Sequence, residues 1–469
     1  MAPTKANTTV EGCQKSPRKY HKALDRINPC AAFVDIGSGE HWVCIPEDCC
    51  AENVRRYDAY TSNLYEIRAW LKENGVTSVA MESTGVYWIA LYQILEEENI
   101  EVCLVNARDL NSVKGRPKTD KLDCQWGQRL HSYGLLKASF RPPAEICEMR
   151  SIWRMRSQLV QEMSRTIQRM QKSLHEMNLL LPKVVSDITG KTGMSIIEAI
   201  IKGERDPVKL AQLKDARVKA SNEEIAEALR GDYRSEHIFL LKKALEHYRF
   251  IEGQLFDYDE AIKERLEKVQ KVKELNDGDK ISNEVEHLKY KKRYPKAPSF
   301  ASRTLAHEIL GIDLGCVPGL SSVILLGLIL EIGPDLSKWP DAGHFASWLG
   351  LCPNPRISAG RDLGTRTKKC SNRAARYFRL AAASLRRSQC SLGDFYRRMQ
   401  SRNGPAHAIT ATAHKLAVLY YKLVKEGEQY KEIDRHEYQK AMAKMRIERL
   451  KKRAQGLGFQ LIPIEEKAS

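Results

Sequence analysis

The chain lacks the features that would place it in a membrane or in an oxidising compartment. Its longest apolar run, residues 323–332, is too short to cross a bilayer. The first 22 residues are polar and contain no apolar stretch of the kind found in signal peptides. The twelve cysteines form no CxxC pair and no repeated spacing, so neither a disulfide framework nor a zinc ribbon is supported. We therefore expect a cytoplasmic protein with no membrane partner.

The chain carries more positive than negative charge. Its 76 Lys and Arg residues outnumber its 59 Asp and Glu residues and give a formal net charge of +17. Such a balance predicts a polyanionic partner, but it does not distinguish DNA from RNA or from an anionic membrane surface, because each attracts lysine and arginine through phosphate. A length of 469 residues allows two or three domains.

The N-terminal part alternates between strand and helix patterns and predicts an α/β sheet. Two of its strands end in acids, Asp35 and Glu82, and acids at strand ends lie where open α/β sheets usually place their sites. The predicted strands are residues 30–37, 41–46, 78–82 and 100–105, and the predicted helices are residues 63–74 and 87–98.

Asp120 and Asp123 stand three residues apart at the predicted start of a helix, so both carboxylates would project from one face. Together with Asp35 and Glu82 they could hold one or two Mg²⁺ ions for phosphoryl transfer. Two ordinary interpretations stay open. An aspartate near a helix start is a common cap or dipole partner, and an acid after a strand is a common turn residue.

The middle of the chain is predicted to be mainly helical. Apolar residues recur at helical spacing over residues 142–180 and 236–275, which favours helical hairpins or coiled coils within or between subunits. Residues 188–193 lack the first glycine of a phosphate-binding loop and are predicted to be an ordinary loop. Residues 276–299 predict a polar, lysine-rich connector between domains.

Basic side chains concentrate again near the C-terminus. Pro318 and Gly319 precede an apolar helix in the manner of a helix-hairpin-helix element, which binds nucleic-acid backbone. Ser358 follows in a predicted loop, where arginines would make it either a phosphate contact or an activated nucleophile. We predict nucleic-acid contacts for the polar side chains around this loop, which are Arg356, Arg361, Arg366, Lys368, Lys369, Asn372 and Arg373. A basic helix is predicted over residues 373–387 and a charged helix over residues 424–469.

Several of these motifs together resemble one family. Val-Asp35-Ile-Gly, Met-Glu82-Ser-Thr-Gly and Lys-Thr-Asp120-Lys-Leu-Asp123 are similar to the Asp-Glu-Asp-Asp pattern of the insertion-sequence one-hundred-ten (IS110) family of transposases. The resemblance implies a RuvC-like domain of the ribonuclease-H type over about residues 29–140. Residues 310–423 resemble the family's C-terminal transposase domain, which implies that Ser358 attacks DNA and forms a phosphoserine linkage.

The same resemblance implies the partners and shows two departures. It implies donor and target DNA, a structured bridge RNA that pairs with both, and a homo-oligomer, a dimer or tetramer. Cys124 stands where the family usually has Ala, and Ser371-Asn372 stands where it usually has Gly-Asn. Neither departure removes a predicted catalytic side chain.

These observations combine into one prediction of domain organisation and function. We expect a disordered arm (1–28), an α/β RuvC-like domain (29–141), a helical coiled-coil region with a basic linker (142–295), a mainly α transposase domain (296–425) and a charged helical tail (426–469). We predict an RNA-guided, Mg²⁺-dependent DNA recombinase on the bacterial nucleoid. The alternatives are a metal-dependent nuclease that forms no covalent intermediate and a nucleic-acid-binding scaffold without chemistry.

Overall fold

The computed structural model describes the chain at residues 25–83, 85–110, 119–272, 297–362, 364, 366–368, 370 and 372–462. The predicted N-terminal arm and most of the predicted basic connector therefore lie outside the described residues. The chain divides into two compact units, Met1–Arg141 and Pro142–Ser469.

A five-stranded mixed sheet forms the centre of the first unit. The strands are β1 (Ala31–Ile36), β2 (Glu40–Cys44), β3 (Val54–Asp58), β4 (Ser78–Glu82) and β5 (Glu101–Val105), in the order β3-β2-β1-β4-β5. The first three strands are antiparallel neighbours, and β4 and β5 run parallel to β1. The predicted α/β architecture is confirmed and is consistent with a RuvC-like fold.

One strand of this sheet was not predicted. β3 reads Val-Arg-Arg-Tyr-Asp and has no buried residue. It lies at the edge of the sheet, where charged side chains face solvent and protect the free edge. A strand with so few apolar residues lacks the pattern on which the sequence-based prediction relied.

Helices cover both faces of the sheet. They are α1 (Thr61–Glu73), α2 (Trp88–Glu97), α3 (Ala107–Leu110) and α4 (Asp120–Ser132). The apolar faces of α1 and α2 pack with Val34 and Met81 in one core. α4 packs on the other face, where Phe33, Ala80 and Cys124 form a second core.

The second unit is almost entirely helical. Its helices are α5 (Ala144–Glu176), α6 (Leu181–Val184), α7 (Lys191–Ile201), α8 (Pro207–Ala211), α9 (Asn222–Ala228), α10 (Ser235–Leu266), α11 (Ser302–Leu310), α12 (Ser322–Ile332), α13 (Ala342–Trp348), α14 (Arg373–Ser384), α15 (Ser391–Asn403), α16 (Pro405–Glu426) and α17 (Arg435–Gly456). A two-stranded hairpin, β6 (Ile357–Ser358) and β7 (Arg361–Asp362), interrupts them. No helix in the described part of the chain is long and apolar enough to span a membrane.

The long helices α5 and α10 pack against each other around a shared apolar core. Arg156 of α5 and Asp259 of α10 form a buried ion pair with an Nε–Oδ1 distance of 2.5 Å, and Asp259 also accepts a hydrogen bond from Ser299 N. Removing one partner would leave a buried charge unpaired, which typically costs about 3–5 kcal/mol. The two helices are therefore held in a fixed pairing.

Three predicted boundaries in this unit were wrong. The predicted loop at residues 188–193 is partly helical, because α7 begins at Lys191 and buries Gly193 against Ile188. The second helical run ends at Leu266, nine residues before the predicted end at residue 275. The charged C-terminal helix begins only at Arg435, after an irregular segment that follows the left-handed Gly427.

Candidate active site and nucleic-acid interface

Two predicted acids lie side by side on neighbouring parallel strands. Val34 of β1 is in register with Met81 of β4, and both side chains belong to the core under α1 and α2. Side chains alternate between the two faces of a sheet, so the next residues, Asp35 and Glu82, project from the opposite face. That face is the one that α4 covers.

The other two acids lie in the first turn of α4. Thr119 is the N-cap, and its Oγ1 accepts a hydrogen bond from Leu122 N at 3.3 Å. Asp120 is the first helical residue and Asp123 follows one turn later, where the positive end of the helix dipole favours carboxylates. We call Asp35, Glu82, Asp120 and Asp123 the acidic tetrad.

Small and polar side chains hold α4 tightly on the sheet. A Cβ built on Gly127 would lie 2.6 Å from the Phe33 ring, so only glycine allows this close approach. Gln128 Nε2 donates to Ala31 O at 3.1 Å. The Cys124 thiol donates toward Trp42 O, with an S–O distance of 3.0 Å, and burial raises its pKa well above the ordinary value and keeps it protonated. Cys124, which stands where the family usually has Ala, therefore places a hydrogen-bond donor against the backbone of the sheet.

The pKa of Asp35 shows that the four acids interact. Burial has the largest effect on this carboxyl group, and the charges of Glu82, Asp120 and Asp123 add to it in that order, so that together they raise its pKa to about 6. Asp35 is half-buried, whereas Asp120 is exposed. The fold thus brings Glu82, Asp120 and Asp123 within electrostatic reach of Asp35.

Carboxylate oxygens are the ligands that Mg²⁺ prefers, so the chemistry of this set fits a hard divalent cation. The spacing is wider than a coordination shell, since no three His, Cys, Asp or Glu side chains among the described residues are grouped closely enough to hold a metal ion. Like charges repel one another unless a cation lies between them. The four carboxylates are therefore potential ligands that do not form a closed cage.

Ser358 lies in a hairpin, and the predicted loop was wrong at this point. It ends β6 and pairs with Arg361 of β7 across a two-residue turn. Ala359 and Gly360 both have positive φ, +49° and +76°, as the tight turns of two-residue hairpins require. Ser358 is exposed, and its hydroxyl has no hydrogen-bond partner within the described part of the chain.

Four of the predicted cationic contacts lie in this hairpin or a few residues from it in the sequence. Arg356, Arg361, Arg366 and Lys368 are all exposed, and Arg356 N donates to Gly364 O at 2.9 Å. Lys369 lies outside the described residues. Among the residues that the structure describes, no acid forms an ion pair with these four cations, which leaves their side chains available to phosphate.

The remaining predicted contacts have local structural roles. Asn372 Oδ1 accepts from Ala375 N at 3.2 Å and so caps α14, and Arg373 is the first, exposed residue of that helix. Pro318 and Gly319 are half-buried, and the turn at Gly319 packs closely on Ala381 O. α11 and α12, which flank this turn, pack against each other.

Sequence reasoning missed residues that position the tetrad rather than belong to it. Thr119, Gly127 and Gln128 received no role, although a threonine directly before a helix is a recognisable cap signal. The closeness of Gly127 to Phe33 depends on how the helix lies across the sheet. No local signal in the sequence predicts that contact.

Comparison with known proteins agrees with the geometry of both units. A transposase model of the DEDD type, named for IS110, matches residues 33–179, and a model described as the transposase IS116/IS110/IS902 family matches residues 314–397. No curated protein matches the chain. The first match contains all four residues of the tetrad, and the second contains Ser358. The chain belongs to the IS110 family of insertion-sequence transposases.

Proposed function

We propose that this transposase breaks and rejoins DNA strands with the acidic tetrad and with Ser358 as a nucleophile. The observation that carries the proposal is that Asp35 is half-buried beside Glu82, Asp120 and Asp123, so that burial and these three carboxylates together raise its pKa. Such clustering of acids is unfavourable for folding and is typical of functional sites.

The tetrad would hold the divalent cation. Mg²⁺ bound there would polarise a DNA phosphate and stabilise the charge that develops during phosphoryl transfer. Asp35 and Glu82 come from rigid neighbouring strands, and Asp120 and Asp123 come from a capped helix packed on those strands. This support limits the movement of the four carboxylates and so favours a defined coordination geometry.

Ser358 would carry out the covalent step. Its Oγ forms a bond to the DNA phosphorus while one P–O bond of the DNA backbone breaks, and the hydroxyl proton passes to a base as the leaving oxygen departs. A serine hydroxyl needs such activation because it is a weak nucleophile. Attack by the released DNA hydroxyl of another strand on the phosphoserine would restore Ser358 and join the strands without hydrolysis.

Two basic surfaces would bind the nucleic-acid backbone. The first comprises exposed Arg356, Arg361, Arg366 and Lys368, in the hairpin of Ser358 or close to it in the sequence, and the second comprises exposed Arg373 and Arg376 of α14. Residues 373–387 contain no acid. Each phosphate neutralised by these cations would release counterions, so binding should weaken steeply with salt.

A structured RNA encoded by the element would supply the sequence recognition. The net charge of +17 is compatible with a large polyanionic partner. In this scheme base pairing reads the donor and target DNA, while the protein reads backbone and shape, as in other RNA-guided systems. Sequencing the RNA that co-purifies with the protein from cells carrying the whole element tests this part.

A covalent adduct tests the serine mechanism. The wild-type protein incubated with end-labelled DNA and Mg²⁺ should give a labelled species that resists denaturing detergent, and Ser358→Ala should abolish it. Ser401→Ala, which changes an exposed serine of α15, is the matched control and should retain the adduct. An adduct that persists in Ser358→Ala would refute the role of this serine.

A metal-dependent nuclease is the second candidate function. The observation that favours it is the absence of any described group that hydrogen-bonds to Ser358 Oγ and could activate it. A nuclease of this kind would cut DNA without an adduct, and Ser358→Ala would weaken DNA binding but leave cutting intact.

A nucleic-acid-binding scaffold without chemistry would keep its activity in cells after Asp120→Asn and Asp123→Asn. The proposed enzyme with these substitutions would still bind DNA but would lose strand exchange.

A further inference from the structure

The last described helix, α17, is anchored at its start and is otherwise exposed. None of its residues is buried, and Arg435 and Gln439 in its first turns donate to Asp394 of α15. From Ala443 onward, no residue of the helix forms a hydrogen bond or an ion pair with another element in the described part of the chain. A helix with so little packing is only marginally stable in water, so a bound partner would stabilise it.

α17 carries a strong excess of positive charge. Its 22 residues include eight Lys and Arg residues and two Glu residues. Two of the eight cations form ion pairs, Arg435 with Asp394 and Lys451 with Glu448. Among the residues that the structure describes, no acid pairs with the other six cations, which are Lys440, Lys444, Arg446, Arg449, Lys452 and Arg453.

The apolar side chains of the exposed part form one narrow ridge. Ile447 is 47% exposed and Leu450 is 44% exposed. Together with Ala443 and Ala454 they follow each other at intervals of four, three and four residues. At the angular step of an α-helix, these four positions fall within an arc of about 60°. We call these four residues the α17 ridge.

Cations flank the ridge on both sides. Measured around the helix axis, Lys444 and Lys451 lie about 70–90° to one side of the centre of the ridge. Arg446 and Arg453 lie about 70–90° to the other side, and all four side chains are exposed. Glu448 lies further round, about 130° from the centre. The apolar ridge therefore runs between two rows of positive charge.

This charge pattern argues against a second copy of the helix as the occupant. Two copies joined at the ridge would bring their cationic flanks together, and like charges repel one another. A ridge that contains two alanines is also narrower than the apolar face that a membrane-surface helix buries. Phosphate groups, in contrast, attract both flanks. The pattern therefore favours a nucleic-acid backbone.

The shape of an α-helix favours duplex DNA over duplex RNA. The major groove of B-form DNA is about 12 Å wide and admits an α-helix. A-form RNA has a deep, narrow major groove that side chains cannot read. A helix in the DNA groove has phosphates on both sides, where the flanks of α17 carry their cations. The ridge would face the floor of the groove, where thymine methyl groups offer apolar contacts.

We propose that α17, from Ala443 onward, binds in the major groove of double-stranded DNA. The two family matches end at residues 179 and 397, so this contact lies outside both matched regions. Its cations contact the backbone and its ridge carries no hydrogen-bonding group, so the helix positions DNA with little sequence preference. The proposal rests on DNA as the substrate in the proposed function, but it does not depend on the chemistry of the tetrad or of Ser358.

Two charge-matched variants of the full-length protein test the contact. Arg446→Gln/Lys451→Gln removes one cation from each flank, whereas Arg449→Gln/Lys452→Gln removes the same two residue types more than about 120° from the centre of the ridge. Glutamine preserves helix propensity, and circular dichroism should match wild type for both variants. Binding is measured by fluorescence anisotropy without Mg²⁺, on a DNA duplex of about 30 base pairs, roughly three helical turns.

The flank variant should bind the duplex about tenfold more weakly than wild type, and its slope of log affinity against log salt should be smaller by about two. The control variant should stay within about twofold of wild type. On an RNA duplex of the same sequence, and on vesicles of phosphatidylcholine and phosphatidylserine, the two variants should behave alike. Introducing the flank substitutions into Ser358→Ala should give the same loss of DNA binding, which separates this test from the test of the serine mechanism.

Several results would overturn the proposal. Equal losses in the flank and control variants would reduce the effect to the net charge of the helix. Unchanged DNA binding in both would show that α17 does not contact the duplex. A flank effect that is larger on the RNA duplex or on the vesicles than on DNA would assign the helix to that partner instead.

Discussion

The fold of the first unit disfavours the ionised form of the Asp35 carboxyl group. Burial and its three acidic neighbours raise its pKa to about 6, above an ordinary value near 3.8. The folded chain therefore binds more protons than the unfolded chain between about pH 4 and pH 6, and the free energy of unfolding falls as the pH rises through that range. The penalty reaches its full size about one pH unit above that pKa, and a cation held by the four carboxylates would relieve it.

We expect Asp35→Asn to stabilise the metal-free protein and to abolish strand exchange. Removing the charge should raise the free energy of unfolding at pH 8 by roughly 1–2 kcal/mol and should have little effect at pH 4, where Asp35 is largely protonated. Urea denaturation at the two pH values measures the difference. Asp58→Asn, at the exposed end of β3, should change stability at neither pH; a loss of stability in Asp35→Asn at pH 8 would contradict the assignment.

Thr119 positions two members of the tetrad without belonging to it. Thr119→Ala removes the hydroxyl that accepts from Leu122 N and should lower the free energy of unfolding by about 1 kcal/mol. Because Asp120 and Asp123 occupy that turn, the Mg²⁺ concentration for half-maximal activity should rise several-fold. Thr119→Ser keeps the cap and should restore both values, whereas equal metal dependence in the Ala and Ser variants would limit Thr119 to a stabilising role.

At the scale of elements, the position of α4 depends on its contact with β1. Gly127→Ala would force a methyl group into the Phe33 ring, which lies 2.6 Å from the Cβ position, and should cost about 1–3 kcal/mol of stability with reduced activity. Phe33→Leu in the same chain makes room for the methyl group. We therefore expect the double variant to be more stable than Gly127→Ala in thermal denaturation, and strictly additive losses would show that the contact is not the cause.

The attachment of α17 depends on one acid of α15. Asp394 accepts hydrogen bonds from Arg435 and Gln439 of α17, and although burial alone would raise its pKa, these bonds and one from Arg397 lower it to about 2. None of the residues of α17 is buried, so its attachment relies on surface contacts such as these.

We expect Asp394→Ala to release α17 without unfolding the rest of the unit. Amide hydrogen exchange over residues 435–442 should accelerate by at least tenfold, while α16 should stay protected. In the wild-type protein the same release should occur as the pH falls from about 4 toward 2, because a depressed carboxyl pKa contributes stability that acid removes. Glu437→Gln, an exposed acid of α17, serves as the control and should leave exchange unchanged.

At the scale of the whole molecule, the two compact units should respond separately to metal. Calorimetry of the full chain should resolve two unfolding transitions, and about 10 mM Mg²⁺ should raise only the transition of the unit that carries the tetrad. The double variant Asp120→Asn/Asp123→Asn should lose this shift. A uniform shift of both transitions in wild type and variant would indicate non-specific ion binding instead.

Local sequence patterns were sufficient to predict a strand or helix wherever the spacing of its own apolar residues determined it. The alternation of apolar strands and helices predicted β1, β2, β4 and β5, and the three-or-four spacing predicted α5 and the start of α10. Short motifs identified the four acids before the fold was known. The charged edge strand β3, the start of α7 and the hairpin around Ser358 were missed or misassigned, because their conformations depend on neighbours that local patterns do not encode.

The sequence by itself determined the family, the α/β and helical character of the two parts, and the identity of the acidic residues. Only the tertiary structure decided that Asp35 is half-buried beside Glu82, Asp120 and Asp123, and that Gly127 lies against the Phe33 ring. The physical reason is that periodicity and motif spacing are properties of consecutive residues. Electrostatic coupling and close contacts, in contrast, depend on distances between segments, which strand register and the packing of α4 determine.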